Sequence, residues 1–292
     1  MPSVSIKDLL EAGVHFGHQT QKWNPKVKKY IFGQRNGIYV IDLQQTLGLF
    51  QVACEFLASI GEAGKTLLFV GTKRQAQMAI REEAERSGCY YVNQRWLGGL
   101  LTNWATVKTS VALLKELDEL RTQEEFLALP KKEIATVEKR RAKLEKVFSG
   151  IRDMKKRPDA MFVIDPKRER IAIAEANRCR IPVVAVIDTD CDPDGIDYVI
   201  PGNDDAIRSI RLFASCVADS YMTGAAQSQA RQTEIAEGAA AAVEAESAAE
   251  QAAKEPPRKT ITLKVPPGGQ APKPSRGTEI EPAAADGTAK AN

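Results

Sequence analysis

The apolar and polar positions divide the chain into three kinds of segment. Short continuous apolar runs occur at Lys65–Gly71 (KTLLFVG), Ala160–Ile164 (AMFVI) and Val183–Ile187 (VVAVI), with shorter ones at Cys89–Val92 and Tyr198–Ile200. Such runs suit strands covered on both faces, as in a parallel sheet. A further strand is predicted over Gly37–Leu43, rich in Ile, Val and Tyr. Between the runs the spacing becomes helical. Leu47, Phe50, Cys54, Leu57 and Ile60 share one face, and Gly61 and Gly64 stop that helix. Helices are also predicted near Arg170–Arg178 and from Asp204 to about Thr223, with Thr72 capping one that runs to Ser87–Gly88 and Ser5 capping one that ends at Gly13. Strand–helix alternation with buried strands predicts a three-layer α/β domain around a parallel sheet, flavodoxin- or Rossmann-like, over residues 1–101 and 157–224.

The second kind of segment interrupts that domain over residues 102–156. Val107, Val111, Leu114, Leu117 and Leu120 line one helix; Ile134, Val137, Leu144, Phe148 and Ile151 line another, with Arg141 at the missing heptad position. The seams are narrow, and Pro130 suits the start of the second helix. An inserted antiparallel coiled-coil helical hairpin is therefore preferred over two ordinary surface helices. The third kind covers residues 225–292, where Ala, Glu, Pro and Gly dominate and large apolar residues nearly vanish. That tail cannot bury enough surface to offset its ordering entropy and is expected to be disordered, with transient helix near Ala236–Ala253.

Composition adds a compartment and an asymmetry. Five cysteines, an odd number without a CxxC pair, argue against a disulfide framework and for a reducing compartment. No signal peptide and no apolar run of spanning length is evident, so the chain reads as cytoplasmic, without a membrane partner. The net charge is only +3, but both histidines and a concentration of bases fall in one stretch. From Ala12 to Ile41 there is no acid, while Lys22, Lys26, Lys28, Lys29 and Arg35 alternate with Phe16, Trp23, Tyr30, Phe32 and Tyr39. Bases interleaved with rings suit a polyanion whose sugars or bases can also be touched. The region Lys131–Arg157 holds 11 bases against 4 acids, a second basic face.

Enzymatic motifs mostly fail. In GEAGKT (Gly61–Thr66) a helix precedes and a strand follows, the reverse of a phosphate loop. FVGTKRQA carries one glycine where a dinucleotide turn needs three, although Lys73 and Arg74 at a helix start can hold a phosphate. The run Asp190, Asp192, Asp194, Gly195 begins like a calcium loop but has Pro201 at the twelfth position. Asp188 ends a strand, and Asp204 and Asp205 open a helix, so they fall where open α/β sheets gather ligands. A divalent-metal site drawing on these aspartates and His15 or His18 stays open beside helix capping and loop solvation. No nucleophile–base pair is apparent.

The order of longer motifs then points to a family. LEAGVHFGH (Leu10–His18), Trp23-Asn24-Pro25 and IYVIDL, followed by FVGTKRQA, NQRWLGGLLTN and PDAMFVIDPKRERIAIAEANRCRIPVVAVIDTDCDPDGIDYVIPGNDDA, resemble the successive signatures of the second protein of the small ribosomal subunit, from about Ser5 to Gly224. The resemblance implies an α/β domain with an inserted coiled-coil hairpin, in its bacterial or organellar form. It also implies a structural role without catalysis: binding 16S ribosomal RNA between head and body, and supporting docking of the large OB-fold-repeat protein that captures messenger RNA. By position it implies RNA contacts at Lys22, Trp23, Asn24, Lys26, Lys28, Lys29, Arg35, Lys73, Arg74, Arg95, Trp96, Thr102 and Asn103. Each tryptophan has core packing as its alternative. The implied role requires no cofactor; some bacterial members of the family hold a divalent metal (Zn or Mg) near the aspartates, for which His18, Asp188, Asp204 and Asp205 are the candidate ligands here. The competing reading is a metal-dependent α/β enzyme built on the same aspartates.

Overall fold

The computed structural model describes residues 4–123, 126 and 130–254, and of residues 232 and 234–254 the backbone only. Contacts group the chain into two units, residues 1–240 and 241–292. The first is described below; the second enters only as the helical stretch 241–254.

The core is a five-stranded, wholly parallel sheet in the order β5-β4-β6-β7-β8, formed by β4 (Leu67–Val70), β5 (Tyr90–Val92), β6 (Ala160–Ile164), β7 (Val183–Ile187) and β8 (Tyr198–Pro201). Every residue of β4, β6 and β7 is buried, as their unbroken apolar runs require. Alternate residues serve two cores. Leu67, Phe69, Phe162, Ile164, Val184 and Val186 face one; Leu68, Val70, Met161, Val163, Val183 and Ala185 face the other. On the first face lie α1 (Ile6–Glu11), α2 (Leu43–Glu62), α3 (Gln77–Ser87) and the start of α7 (Ile207–Lys254). The second is covered by α4 (Trp104–Arg121), the end of α5 (Lys131–Phe148) and α6 (Arg170–Arg178). This is a Rossmann-like layered arrangement, and its winding reverses between β4 and β6.

Sequence expectations and structure part in three places. The strand expected over Gly37–Leu43 is β3 (Ile38–Ile41), and it does not join the parallel sheet. It is the centre of a separate antiparallel sheet, β1-β3-β2, with β1 (Phe16–Gln19) and β2 (Ile31–Arg35), so the basic stretch is a folded sheet with 3-10 turns at Thr20–Lys22 and Pro25–Tyr30. Second, Thr72 does not cap α3. The helix begins at Gln77 without a side-chain cap, and Thr72 instead donates its hydroxyl to the buried Glu169 carboxylate. Ser5 does cap α1, in a reciprocal box with Asp8. Third, α7, expected to end near Thr223, continues to Lys254 across the stretch Ala236–Ala253 where transient helix is expected; residues 255–292 lie outside those described.

The helices of residues 102–156 are joined by ion pairs. Arg141 meets Asp118 across the two helices, Arg152 meets Asp118 at 2.7 Å, and Arg121 meets Glu138 at 3.1 Å. The gap in the heptad pattern at Arg141 is thus filled by charge rather than by an apolar side chain. Where α2 crosses α7 the backbones touch: a Cβ added at Gly224 would sit 1.9 Å from the Ala58 carbonyl oxygen, and one at Gly61 2.2 Å from that of Tyr221.

Candidate nucleic-acid interface

The small antiparallel sheet is tied to the carboxyl ends of the parallel strands. The amide of His18 donates to Thr189 Oγ1 at 2.9 Å, Asn24 N–H donates to the Thr189 carbonyl at 2.8 Å, and Asn203 Nδ2 donates to the Gly13 carbonyl at 3.1 Å. Gly17 permits this approach, since a Cβ there would meet the Thr189 methyl at 2.6 Å. Val27 and Tyr30 plug into the second core and fix the 3-10 turn from below. What remains outward is cationic. Lys22, Lys28, Lys29 and Arg35 are exposed, as are Arg74 and Arg95 beyond the ends of β4 and β5. Among the described residues none of these six forms an ion pair, so their charge faces solvent. Trp23 is half-buried against Tyr39, ring centroids 5.2 Å apart, and Asn24 uses its Oδ1 to accept from the Lys26 amide at 3.0 Å.

Four residues of the predicted contact set are held by the protein's own acids, Thr102 among them through Glu175. Lys26 reaches back to Asp192 at 3.0 Å and also pairs with Asp194, so the protein's own carboxylates hold it. Trp96 is 7% exposed and its indole N–H donates to Glu175 at 3.1 Å; of its two alternatives, packing prevails. Lys73 is drawn under the surface, its ammonium 2.7 Å from Asp204, 2.6 Å from Asp205 and 3.6 Å from Asp165.

Those contacts define an acid cluster at the strand ends. Asp165 follows β6, Asp188 follows β7 and Asp204 follows β8; Lys73 comes from the loop after β4, so its bond to Asp165 spans the point where the winding reverses. His18 closes the cluster from β1, with Nδ1 3.0 Å from Asp188 and Nε2 3.3 Å from Asp205. The hydrogen bond to Asp188, acting against burial, holds the imidazole charged, its pKa raised to about 9. Burial, together with Asp188 and Asp165, pushes the Asp204 carboxyl up to about 7 against the pull of Lys73. Burial opposes the Lys73 charge, but the bonds from Asp204 and Asp205 outweigh it and raise its pKa. Three of the four metal candidates come together: ligand atoms of His18, Asp188 and Asp204 lie within 4.8 Å of one another, while Asp205 faces the other ring nitrogen of His18. One imidazole and three carboxylates fit a divalent cation chemically. Here Lys73 and His18 offset part of their charge.

A buried acid that the sequence reading overlooked organises the loop before α4. Glu175 Oε1 accepts from the Trp96 indole at 3.1 Å and the Gly99 amide at 2.7 Å. Its Oε2 accepts from the amides of Leu101 at 2.9 Å and Thr102 at 3.1 Å, and from the Thr102 hydroxyl at 3.2 Å. Burial would raise its pKa; the bonds from Thr102, Gly99, Trp96 and Leu101 outweigh that and lower it. The visible signal was an acid on the apolar face of RIAIAEANR, beside Ala172 and Ala176.

A sequence profile for ribosomal protein S2 matches residues 9–224. The chain belongs to the ribosomal protein S2 family. It is 59% identical over 224 residues to the small ribosomal subunit protein uS2 of Koribacter versatilis (strain Ellin345), covering 77% of this chain and 74% of that one. It is 55% identical over 255 residues to the uS2 of Geotalea uraniireducens (strain Rf4), covering 87% of this chain and all of that one. With the uS2 of Solibacter usitatus (strain Ellin6076) the identity is 59% over 227 residues. These relatives are named as ribosomal proteins and not as enzymes, which decides against the competing metal-enzyme reading even though its aspartates do converge. Among the described residues no helix is long and apolar enough to cross a membrane.

Proposed function

We propose that the chain is a structural protein of the bacterial small ribosomal subunit that seats against 16S ribosomal RNA, between head and body, by charge and shape. The observation that carries this is the antiparallel sheet with its turns, whose Lys22, Lys28, Lys29 and Arg35 are exposed and without ion pairs among the described residues, on a platform hydrogen-bonded to the core. Unpaired surface cations on a rigid support release counterions when they meet phosphates. Arg74 and Arg95 extend the seat and Thr102 and Asn103 offer a separate RNA contact, while Lys26 joins the seat only by exchanging Asp192 and Asp194 for a phosphate.

In this reading α4 and α5 act as an antiparallel coiled-coil hairpin reaching a second patch of RNA. The pairing of Asp118 with Arg141 and of Arg121 with Glu138 supports it, as do Lys139, Arg140 and Lys143, exposed on α5. Docking of the mRNA-capturing OB-fold protein is supported by the apolar groove where Leu10, Phe16 and Phe32 are 53%, 50% and 80% exposed, since protein partners favour exposed aromatic surface. A bound divalent cation would be held by His18, Asp188, Asp204 and Asp205 and would supply positive charge where Lys73 now does. The role is cytoplasmic, within the ribosome.

The test is filter binding of the purified chain to 16S rRNA across a salt series. Lys28→Ala with Lys29→Ala is expected to reduce the slope of log K against log salt by about 1.4–1.8, at ~0.7–0.9 per phosphate contact. Lys26→Ala should reduce it by less. An unchanged slope in the double variant would remove these lysines from the interface.

A further inference from the structure

A second cationic site lies away from the antiparallel sheet. A cavity of about 450 Å³ is lined by Thr102, Asn103, Arg157, Arg178, Cys179 and Arg180. All three arginines are exposed, and among the described residues none of them pairs with a carboxylate. Elsewhere Arg81, Arg86, Arg121, Arg141, Arg152 and Arg211 are each paired with an acid, whereas these three stand together in one cavity without one among the described residues. Three like charges gathered without a counter-charge repel one another unless an anion enters.

The backbone supports the same conclusion. Arg180 follows the end of α6 at φ +57°, in the left-handed region where helices usually place glycine. Its amide and that of Ile181 close the helix onto Asn177 and Ala176 at 3.1 and 2.9 Å. An arginine at that position costs about 1 kcal/mol relative to glycine and puts a guanidinium there in return. Opposite it, Asn103 precedes α4 without bonding the first amides of that helix; its Oδ1 accepts from the Thr106 hydroxyl at 2.9 Å. That helix end adds partial positive charge to the same cavity. Thr102 and Asn103 are held in place from behind by Glu175 through the Thr102 amide and hydroxyl.

We propose that this cavity is a seat for one nucleotide's length of RNA backbone, with a phosphate on the guanidiniums of Arg157, Arg178 and Arg180 and the ribose hydroxyl at Thr102 and Asn103. The inference rests on the RNA-binding reading above and gives it a specific recognition element. The volume falls within the ~300–1,000 Å³ of sites that enclose small molecules, larger than a bare phosphate needs. Among the described residues no aromatic ring lines the cavity, so it reads backbone rather than base. Guanidinium forks match phosphate oxygens in pairs, which a lysine cannot do.

The experiment uses the full chain. Wild-type protein, free and bound to 16S rRNA, is labelled with phenylglyoxal and the modified arginines are mapped by mass spectrometry. Arg157, Arg178 and Arg180 are expected to lose most of their labelling when RNA is bound. Inorganic phosphate at equal ionic strength should protect them only weakly; full protection by phosphate with none by RNA would overturn the proposal in favour of a small-anion site. The Arg157→Ala, Arg178→Ala, Arg180→Ala variant, checked for an unchanged melting temperature, should lose about 2–3 from the salt slope. Replacing the same three by Lys should keep the slope and lose about tenfold in affinity, the equivalent of one charge-assisted hydrogen bond. If wild type binds rRNA but the arginines stay reactive and the variants match it, this seat is excluded and the lysine interface stands. If wild type does not bind rRNA at all, the parent reading falls.

Discussion

Replacing Glu175 tests whether one carboxylate sets the shape of the loop between β5 and α4. The side chain is 7% exposed and accepts five hydrogen bonds. In Glu175→Ala the Gly99 and Thr102 amides are half-buried and can turn to water, but the Trp96 indole and the Leu101 amide are enclosed. Two enclosed donors left unpaired, at ~1–3 kcal/mol each, plus the cavity left by the side chain, amount to about 4 kcal/mol. For a domain of this size that lowers Tm by roughly 8–16 °C. Glu175→Gln keeps the shape but points its amide at donors, and should cost about half as much. The sign with pH follows from the lowered carboxyl pKa. The contribution is complete above the ordinary carboxylate value of 4.5 and is lost as pH falls through the lower folded value, so Glu175→Gln should flatten the acid limb of a Tm–pH curve below about pH 4.5. Thermal melts read by circular dichroism from pH 3 to 8 decide it. A Glu175→Ala protein melting within about 3 °C of wild type at pH 7 would refute the reasoning, because the loop would then hold its shape without its acceptor.

Three further outcomes follow from neighbouring features. His18 has its pKa raised from 6.5 to about 9, so its stabilisation is full below 6.5 and fades as pH rises through about 9; His18→Gln should lower Tm at pH 6.5 and remove that alkaline loss, as Tm measurements between those values would show. Lys73→Met should destabilise by about 1–3 kcal/mol near neutral pH, where Asp204, already raised to about 7 beside Lys73, can take up a proton, and by more as pH rises and the nearly enclosed carboxyl must ionise without its cation; urea unfolding at pH 7 and 9 measures it, and a loss under 1 kcal/mol at both would contradict the role given to Lys73. Gly224→Ala should cost about 3 kcal/mol or more by forcing α2 and α7 apart at Ala58, while Gly48→Ala, with open space around its Cβ, should be neutral or stabilising in the same urea assay.

The parallel sheet was legible because its strands are buried on both faces, which removes polar alternation: AMFVI and VVAVI mark β6 and β7 to the residue. Of the antiparallel sheet only β3 was legible; β1 and β2 were not, because they are half-exposed and a glycine breaks each of their runs. Its turn was nonetheless written in the chain. Asn36 and Gly37, both at positive φ, stand between IFGQR and IYVI, the pair that a tight hairpin requires. The exposed cations of the candidate interface could be named from an acid-free stretch alone. Which of them are held elsewhere could not, since Lys26 meets acids 166 and 168 positions away and Lys73 one 131 away. Glu175 and the cavity at Arg157, Arg178 and Arg180 likewise depend on segments that only the fold brings together.

Sheets of this winding ordinarily leave a crevice where the strand order turns, and a guest molecule completes it. In this protein a tethered ammonium occupies that crevice, and an imidazolium from the neighbouring sheet seals its rim. The acids at the strand ends are therefore answered from within the chain, and the contacts that answer them also cross-link the two sheets.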